Sequence, residues 1–404
     1  VTNRTTIAMR DEGLPFLDLA APGFSTRSPA VAEARAAHWC ARTPFGLAVL
    51  RHTQAGRLLR DRRLRQGSHA WPAVIGLEGS FASFWRRSVI GQEGTAHRRL
   101  RDLAVPVLTP DFVAGLEPAF TRIARDLAAP LAASGGGEFM SAFSTPFAGR
   151  AICALMGLPD ADWPRIADDA IDLGLAMGVD GGRHAARINA ACDRLMEVAD
   201  GLAAAARAGR APRSYPSRIV ARFDAAGDLP EEALRDMIVI SIFGGVDTTR
   251  AQLGFAMALF ADHPRQWDMM RTDPALIPAA IEEAIRTRPT TTWATREALE
   301  DFEIDGQNVR RGETLHILVH ASARDPAVDD GSGFDITRPR KVHFGFGGGA
   351  HHCIGHLVAR SDMAAALGVL SETFAGIGWA GEPEFLPDSG NTAPRCLPLA
   401  LRPA

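Results

Sequence analysis

Apolar residues recur at a spacing near 3.6 along most of this chain, with Ala and Leu on one face and Arg on the other. That periodicity marks amphipathic helix and predicts helices over roughly 110–135, 145–178, 184–209, 216–225, 230–262, 264–287 and 355–374. Strand patterns are few. One is 45–52 (FGLAVLRH); another is 301–319, where Asp305-Gly306 is a hairpin dipeptide between short alternating runs. A last pair is expected near CLPLALR in the tail. The breaks at 177–184 and 208–218, the second holding Tyr215, are short, and neither repeats nor low-complexity linkers interrupt the pattern. The expectation is a mainly α fold with a small β part, built as a single domain over 1–404.

The longest helical pattern, 229–264, contradicts itself in the middle. It starts with Pro230-Glu231-Glu232 and stops at His263-Pro264, a rod of roughly 45 Å at 1.5 Å per residue. Its centre reads Gly244-Gly245-Val246-Asp247-Thr248-Thr249, and each glycine there costs about 1 kcal/mol relative to alanine. One reading predicts a kink or π-bulge where backbone approaches a ligand, with Asp247 and Thr248 as the acid and alcohol that carry protons into a dry pocket. Close helix packing at the glycines, beside a solvated Asp–Thr pair, explains the same residues equally well.

The segment 343–360 (HFGFGGGAHHCIGHLVAR) surrounds Cys353 with Gly345, Gly347, Gly348, Gly349 and Gly355 and then turns helical. Glycines let a loop wrap closely around an object. A cysteine at a helix N-terminus sits in positive potential beside free N–H donors, which favours thiolate. Thiolate binds soft or redox-active metals, and on haem it promotes O–O cleavage. Two other readings are a zinc cluster of His351, His352, Cys353 and His356, more crowded than tetrahedral zinc sites, and a structural turn with an inert cysteine.

Composition narrows the classes. A net charge of −3 gives no pull toward nucleic acid or anionic membrane. The five cysteines are scattered without a C-x-x-C, which argues for a reducing compartment and against a disulfide scaffold. VTNRTTIAMRDEGLPF lacks the apolar core of a signal peptide, and no uncharged apolar run reaches the roughly 18 residues that span a bilayer. A cytoplasmic protein without membrane or nucleic-acid partners is expected.

Phe346-Gly347-x-Gly349-x-His351-x-Cys353-x-Gly355 resembles the haem-binding signature of the cytochrome P-450 family at every fixed position. The resemblance implies the P-450 fold, a triangular single domain with haem b (iron protoporphyrin IX) buried between a long central I helix and the L helix. It implies Cys353 as proximal iron ligand, Phe346 packed near the thiolate, N–H groups after the cysteine (Gly355 among them) donating to sulfur, and His351 reaching a propionate. The 244–249 segment resembles the oxygen-activating part of the I helix. There Gly244 and Gly245 leave room for dioxygen, Thr248 bonds the oxygen species and Asp247 relays protons.

Three further constellations fall in family order. His97 and Arg101, one turn apart, match propionate-binding positions of the C helix, and Arg296 matches another; alone, 97–101 reads as a solvated basic face. Arg98 and Arg99 are candidates for a docking face toward an acidic electron donor. Glu283 and Arg286 match the buried Glu-x-x-Arg pair. Its usual third arginine is replaced by Gly333, leaving Arg338 or backbone carbonyls to complete it.

Activity follows from the resemblance: a monooxygenase inserting one atom of O2 into a small organic substrate. No phosphate fingerprint or flavin module is visible, so electrons come from a separate ferredoxin and ferredoxin reductase. The alternatives are a haem-thiolate catalyst of nitration, oxidative coupling or isomerisation, and a haem-based sensor or binding protein. Pocket positions implied by resemblance lie in 68–90 and 171–186, at Ile240, Phe243, Thr291, Thr292 and Ala294, and at Asn391 and Thr392. Their small polar side chains hint at a hydrogen-bonded substrate.

Overall fold

A computed structural model gives the protein's structure and describes residues 13–339 and 343–404. Most of VTNRTTIAMRDEGLPF, on which the expectation of no leader rests, lies outside the described residues. The first helices are α1 (Pro29–Ala37), α2 (His52–Leu58), α3 (Trp71–Val74), α4 (Ser80–Arg87) and α5 (Gly94–Ala104). Then come α6 (Pro110–Ala114), α7 (Glu117–Ser134), α8 (Thr145–Met156), α9 (Trp163–Gly174), α10 (Ala185–Arg207) and α11 (Tyr215–Ala226). The series closes with α12 (Glu231–Asp262), α13 (Pro264–Thr272), α14 (Ile277–Thr287), α15 (Val319–Ala323) and α16 (His356–Thr373).

Glycine and proline cut the longer expected helices. The 145–178 segment divides where Gly157 adopts the left-handed conformation after α8, and 264–287 divides at Asp273-Pro274. Tyr215 is not in a loop: it opens α11, is buried, and its hydroxyl lies 3.1 Å from Ser241 Oγ.

Strands β1 (Cys40–Thr43), β2 (Gly46–Val49) and β3 (Leu64–Gln66) come from the first part of the chain, followed by β4 (Gly136–Glu138). The later ones are β5 (Trp293–Ala298), β6 (Phe302–Ile304), β7 (Gln307–Val309), β8 (Thr314–Leu318), β9 (Phe374–Trp379), β10 (Glu384–Phe385), β11 (Pro394–Cys396) and β12 (Pro398–Pro403). The largest sheet has the order β1-β2-β8-β5-β3, with β2 and β8 parallel. Asp305 and Gly306 both take positive φ in the β6–β7 hairpin, as a two-residue primed turn requires.

Helix α12 is apolar on all sides and therefore central. Its first half shares a core with α5 and α8–α11, and its second half shares one with α7, α13, α14 and α16. Of the readings of 244–249, the π-bulge is absent, since Glu231–Asp262 is α-helical throughout. The Thr248 hydroxyl donates to the Gly244 carbonyl from outside the helical ladder, so the ladder stays closed. A π turn occurs instead at Met140–Ser144, leading into α8.

The Glu283–Arg286 pair is buried, Arg286 being 2% exposed. Arg286 Nε and Nη2 each donate to a Glu283 carboxylate oxygen at 2.7 Å. The missing third arginine is replaced by both expected routes together. Arg286 reaches the carbonyls of Ala323 (3.2 Å) and Gly333 (3.0 Å), while Asp329 bridges Arg286 (3.3 Å), Arg324 (3.0 Å) and Arg338 (2.6 Å). Arg338 thus acts through Asp329. The network ties α14 to 323–338, the chain that leads into the cysteine loop. Arg286→Leu strands the buried Glu283 carboxylate and should cost about 3–5 kcal/mol in urea unfolding. Arg286→Lys should not restore it, because an ammonium cannot make the paired contacts; a midpoint equal to the parent's would refute this role.

Candidate functional site

The cysteine loop is folded by its glycines. Gly347 and Gly349 take φ of 69° and 67°, and a Cβ on Gly349 would collide with the Leu59 carbonyl. Backbone bonds Gly347 N–Phe344 O (2.8 Å) and Cys353 N–Phe346 O (2.9 Å) close the turn. Cys353 stands just before α16, whose cap is Gly355. Its surface is open to water-sized molecules, yet so much protein surrounds it that burial raises the thiol pKa, opposed by the Gly355 N–H, Arg101 and Arg360. Both facts hold for a thiol on the floor of an interior cleft. Cys40, Cys153 and Cys192, by contrast, are buried and pushed up to about 12 by desolvation, so they stay inert. The Phe346 ring packs under the loop, 4.3 Å from the Arg360 guanidinium carbon.

A basic cluster faces the same loop. His97 on α5 is 2% exposed, its Nε2 has no hydrogen-bond partner, and its ring lies 4.0 Å from that of His351. Burial first, then His351 and Arg101, pushes His97 down to about 4. Arg296 on β5 donates to Gln66 Oε1 (2.9 Å) and the Gly348 carbonyl (3.2 Å). Among the described residues no carboxylate lies within 4.0 Å of it, and burial lowers it to about 10. Arg101 reaches the His352 carbonyl at 2.9 Å.

Sequence reasoning missed Glu93. This residue precedes α5 and accepts from Gln66 N (2.5 Å) and pairs with His351 Nε2 (2.7 Å). Burial works to raise its carboxyl, but those bonds win and hold it at about 2. A carboxylate therefore already fits among His351, His97 and Arg296. The orphaned His97 nitrogen, the buried arginine lacking an acid and the cleft thiol fit a haem with two carboxylate arms. Among the described residues no three His, Cys, Asp or Glu side chains converge as a metal cluster, so the zinc reading has no geometry behind it.

On α12 the two glycines face different ways. A Cβ on Gly244 would meet nothing within 4 Å, whereas one on Gly245 would lie 2.6 Å from Ile152 Cδ1. Gly245 thus lies against Ile152 of α8, while Gly244 faces open space. Asp247 is buried, 3.2 Å from Arg250, and lies against Gly174 of α9, where a Cβ would come within 3.1 Å of its carboxyl carbon. Ile240 and Phe243 are buried on the same helix. Thr291 Oγ1 bonds Asn391 Oδ1 (3.3 Å), Thr392 Oγ1 bonds the Leu386 carbonyl (3.0 Å) and Thr292 N bonds the Gly390 carbonyl (3.2 Å). Ala294 is half-buried. Thr291 Oγ1 and Thr292 N hold the 290–294 strip to the 388–392 strip, while Thr392 Oγ1 bonds within its own segment.

Asp362 of α16 was also missed, although an acid inside HLVARSDMAAALGVL is a visible anomaly. It is 4% exposed, takes one bond from Thr249 Oγ1 (3.3 Å), and its other oxygen has no partner. Desolvation raises its pKa well above the carboxylate range. The folded state therefore binds a proton that the unfolded chain releases near pH 4, so this residue costs more stability as pH rises. Asp362→Asn should raise the melting temperature at pH 8 and leave it nearly unchanged at pH 4. A gain of about 1–3 kcal/mol is expected at the higher pH, and an equal effect at both would refute the buried acid.

Comparison with known proteins identifies the family. The sequence profile of the family described as Cytochrome P450 matches residues 176–375. Luteothin monooxygenase of Streptomyces thioluteus is 34% identical over 398 residues, covering 96% of both chains. Mycinamicin IV hydroxylase/epoxidase of Micromonospora griseorubida is 28% identical over 72% of both. Among solved structures, CalO2 superimposes with a TM-score of 0.86 at 26% identity, covering 93% of this chain and 96% of that one. The chain belongs to the cytochrome P450 family, and it is a haem-dependent monooxygenase.

Proposed function

We propose that the protein, as one catalytic domain, oxygenates a small secondary metabolite with haem b bound through Cys353. The carrying observation is the cleft thiol opposite a carboxylate-ready cluster of His97, Arg101, Arg296 and His351. Bound there, the haem would supply dioxygen activation and transfer of one oxygen atom to substrate, the second leaving as water. The remaining work falls to side chains. Cys353 would hold the group through its sulfur, with the Gly355 N–H supporting negative charge on it. His97, Arg101, Arg296 and His351 would bind its carboxylate arms, and Phe346 shields the loop. Gly244 leaves the groove free, while Thr248 Oγ1, now donating to the Gly244 carbonyl, is the hydroxyl that turns into it. Asp247, held by Arg250, takes protons from the α9 side and passes them to Thr248.

Ile240 and Phe243 give the pocket an apolar wall, with Thr291, Thr292, Ala294, Asn391 and Thr392 opposite. The names of relatives, luteothin monooxygenase and mycinamicin IV hydroxylase/epoxidase, support a secondary metabolite as substrate, and luteothin is the first compound to offer. Electrons come from a separate ferredoxin and its reductase. Among the described residues no helix is long and apolar enough to cross a membrane, in keeping with action in the cytoplasm.

Dithionite-reduced protein under carbon monoxide should show a strongly red-shifted Soret band, lost in Cys353→His. A globin-like band in the parent would end the thiolate reading. With a turned-over substrate, Thr248→Ala should divert most reducing equivalents to hydrogen peroxide, and Asp247→Asn should slow oxygenation about 10²-fold. Product formation without coupled oxygen uptake would favour nitration, coupling or isomerisation instead, and ligand binding without turnover would favour a sensor.

A further inference from the structure

Gln252 lies one turn beyond Thr248 on α12, and it is the buried side chain through which that helix grips the opposite wall. Its Nε2 donates to the Arg288 carbonyl (3.0 Å), and its Oε1 accepts from Thr290 N (3.1 Å) and Thr290 Oγ1 (3.4 Å). Thr290 passes the connection on, because its carbonyl accepts from Thr392 N at 2.9 Å. A backbone bridge joins Thr291 to Asn391 immediately beside it.

The second tie runs through Arg288. Its guanidinium carbon lies 3.7 Å from the centroid of Phe385 and 4.9 Å from that of Phe255. Phe255 follows Gln252 by three residues on α12, so both ties leave the same helix face. Phe385 belongs to β10, at the base of the turn that carries 388–392. Arg288 Nε is buried without an acceptor, and among the described residues no carboxylate lies within 4.0 Å of the guanidinium. Its binding is therefore to the two ring faces, which fixes a distance between helix and hairpin.

From this arrangement we infer that Gln252 and Arg288 are specificity-determining positioning residues that set the height of 290–294 and 388–392 above the Gly244–Thr248 groove. The inference rests on the proposed haem site and on those strips facing substrate. Neither residue belongs to the cluster of His97, Arg101, Arg296, His351 and Cys353. A long substrate that lies along both strips depends on their height, while a small ligand at the iron does not.

The test is spectral titration of the haem-loaded protein with imidazole and with 1-dodecylimidazole, whose tail must run along the strips. Gln252→Met keeps the side-chain length and removes the three bonds. It should weaken dodecylimidazole about tenfold and change imidazole by less than about twofold. Arg288→Met tests the second tie and serves if Gln252→Met fails to fold; Arg288→Lys should recover part of the loss. If either folded Met variant left the ratio of the two affinities at the parent's value, the inference would fall. That holds even if melting temperature dropped, since a purely structural role predicts that result. A parent protein that gave no shift with imidazole would overturn the haem reading and the inference with it.

Discussion

Desolvation of charge is the constraint around which this molecule is arranged. Interior cations and acids are expensive unless paired, and the protein pairs most of them with care: Arg286 with Glu283 and Asp329, Glu93 with His351. Around Cys353 the pairing stops at Glu93–His351. Arg296 is buried on carbonyls and an amide, and His97 is held neutral with an unused nitrogen. A site that leaves its cations short of acids, next to a thiol in a cleft, is prepared for a ligand that brings its own negative charge.

The central helix shows how stability is traded for this arrangement. Gly244, Asp247, Thr248 and Thr249 are weak helix formers in a rod that is otherwise apolar on all sides. The rod survives because both of its halves are enclosed by other helices. Packing against neighbours, rather than propensity, keeps the break helical. One face of the break is left open at Gly244 while its neighbour Gly245 is spent on Ile152.

Much of this was legible in the chain. Periodicity marked the helices, Asp305-Gly306 marked its hairpin, and the spacing around Cys353 marked the loop. What could not be read depends on contacts remote in sequence. Glu93 and His351 are 258 residues apart. Nothing local distinguishes Glu93 from any helix-start acid. Gly245 and Gly244 look interchangeable until α8 is placed beside one of them. The bonds of Thr291 to Asn391 and of Thr292 to Gly390 likewise join segments about 100 residues apart. Strands β1 and β3 went unseen because they are too short to show an alternation, and the six-residue β5 because its burial does not alternate.

The Leu59 carbonyl has a consequence for how the Cys353 sulfur is located. It accepts from Arg296 Nη2 at 3.4 Å and abuts Gly349. One oxygen atom is thus shared by the β3–β5 side of the main sheet and by the cysteine loop. The sulfur is therefore surveyed from two benchmarks, the start of α16 at Gly355 on one side and the main sheet, through the Leu59 carbonyl, on the other.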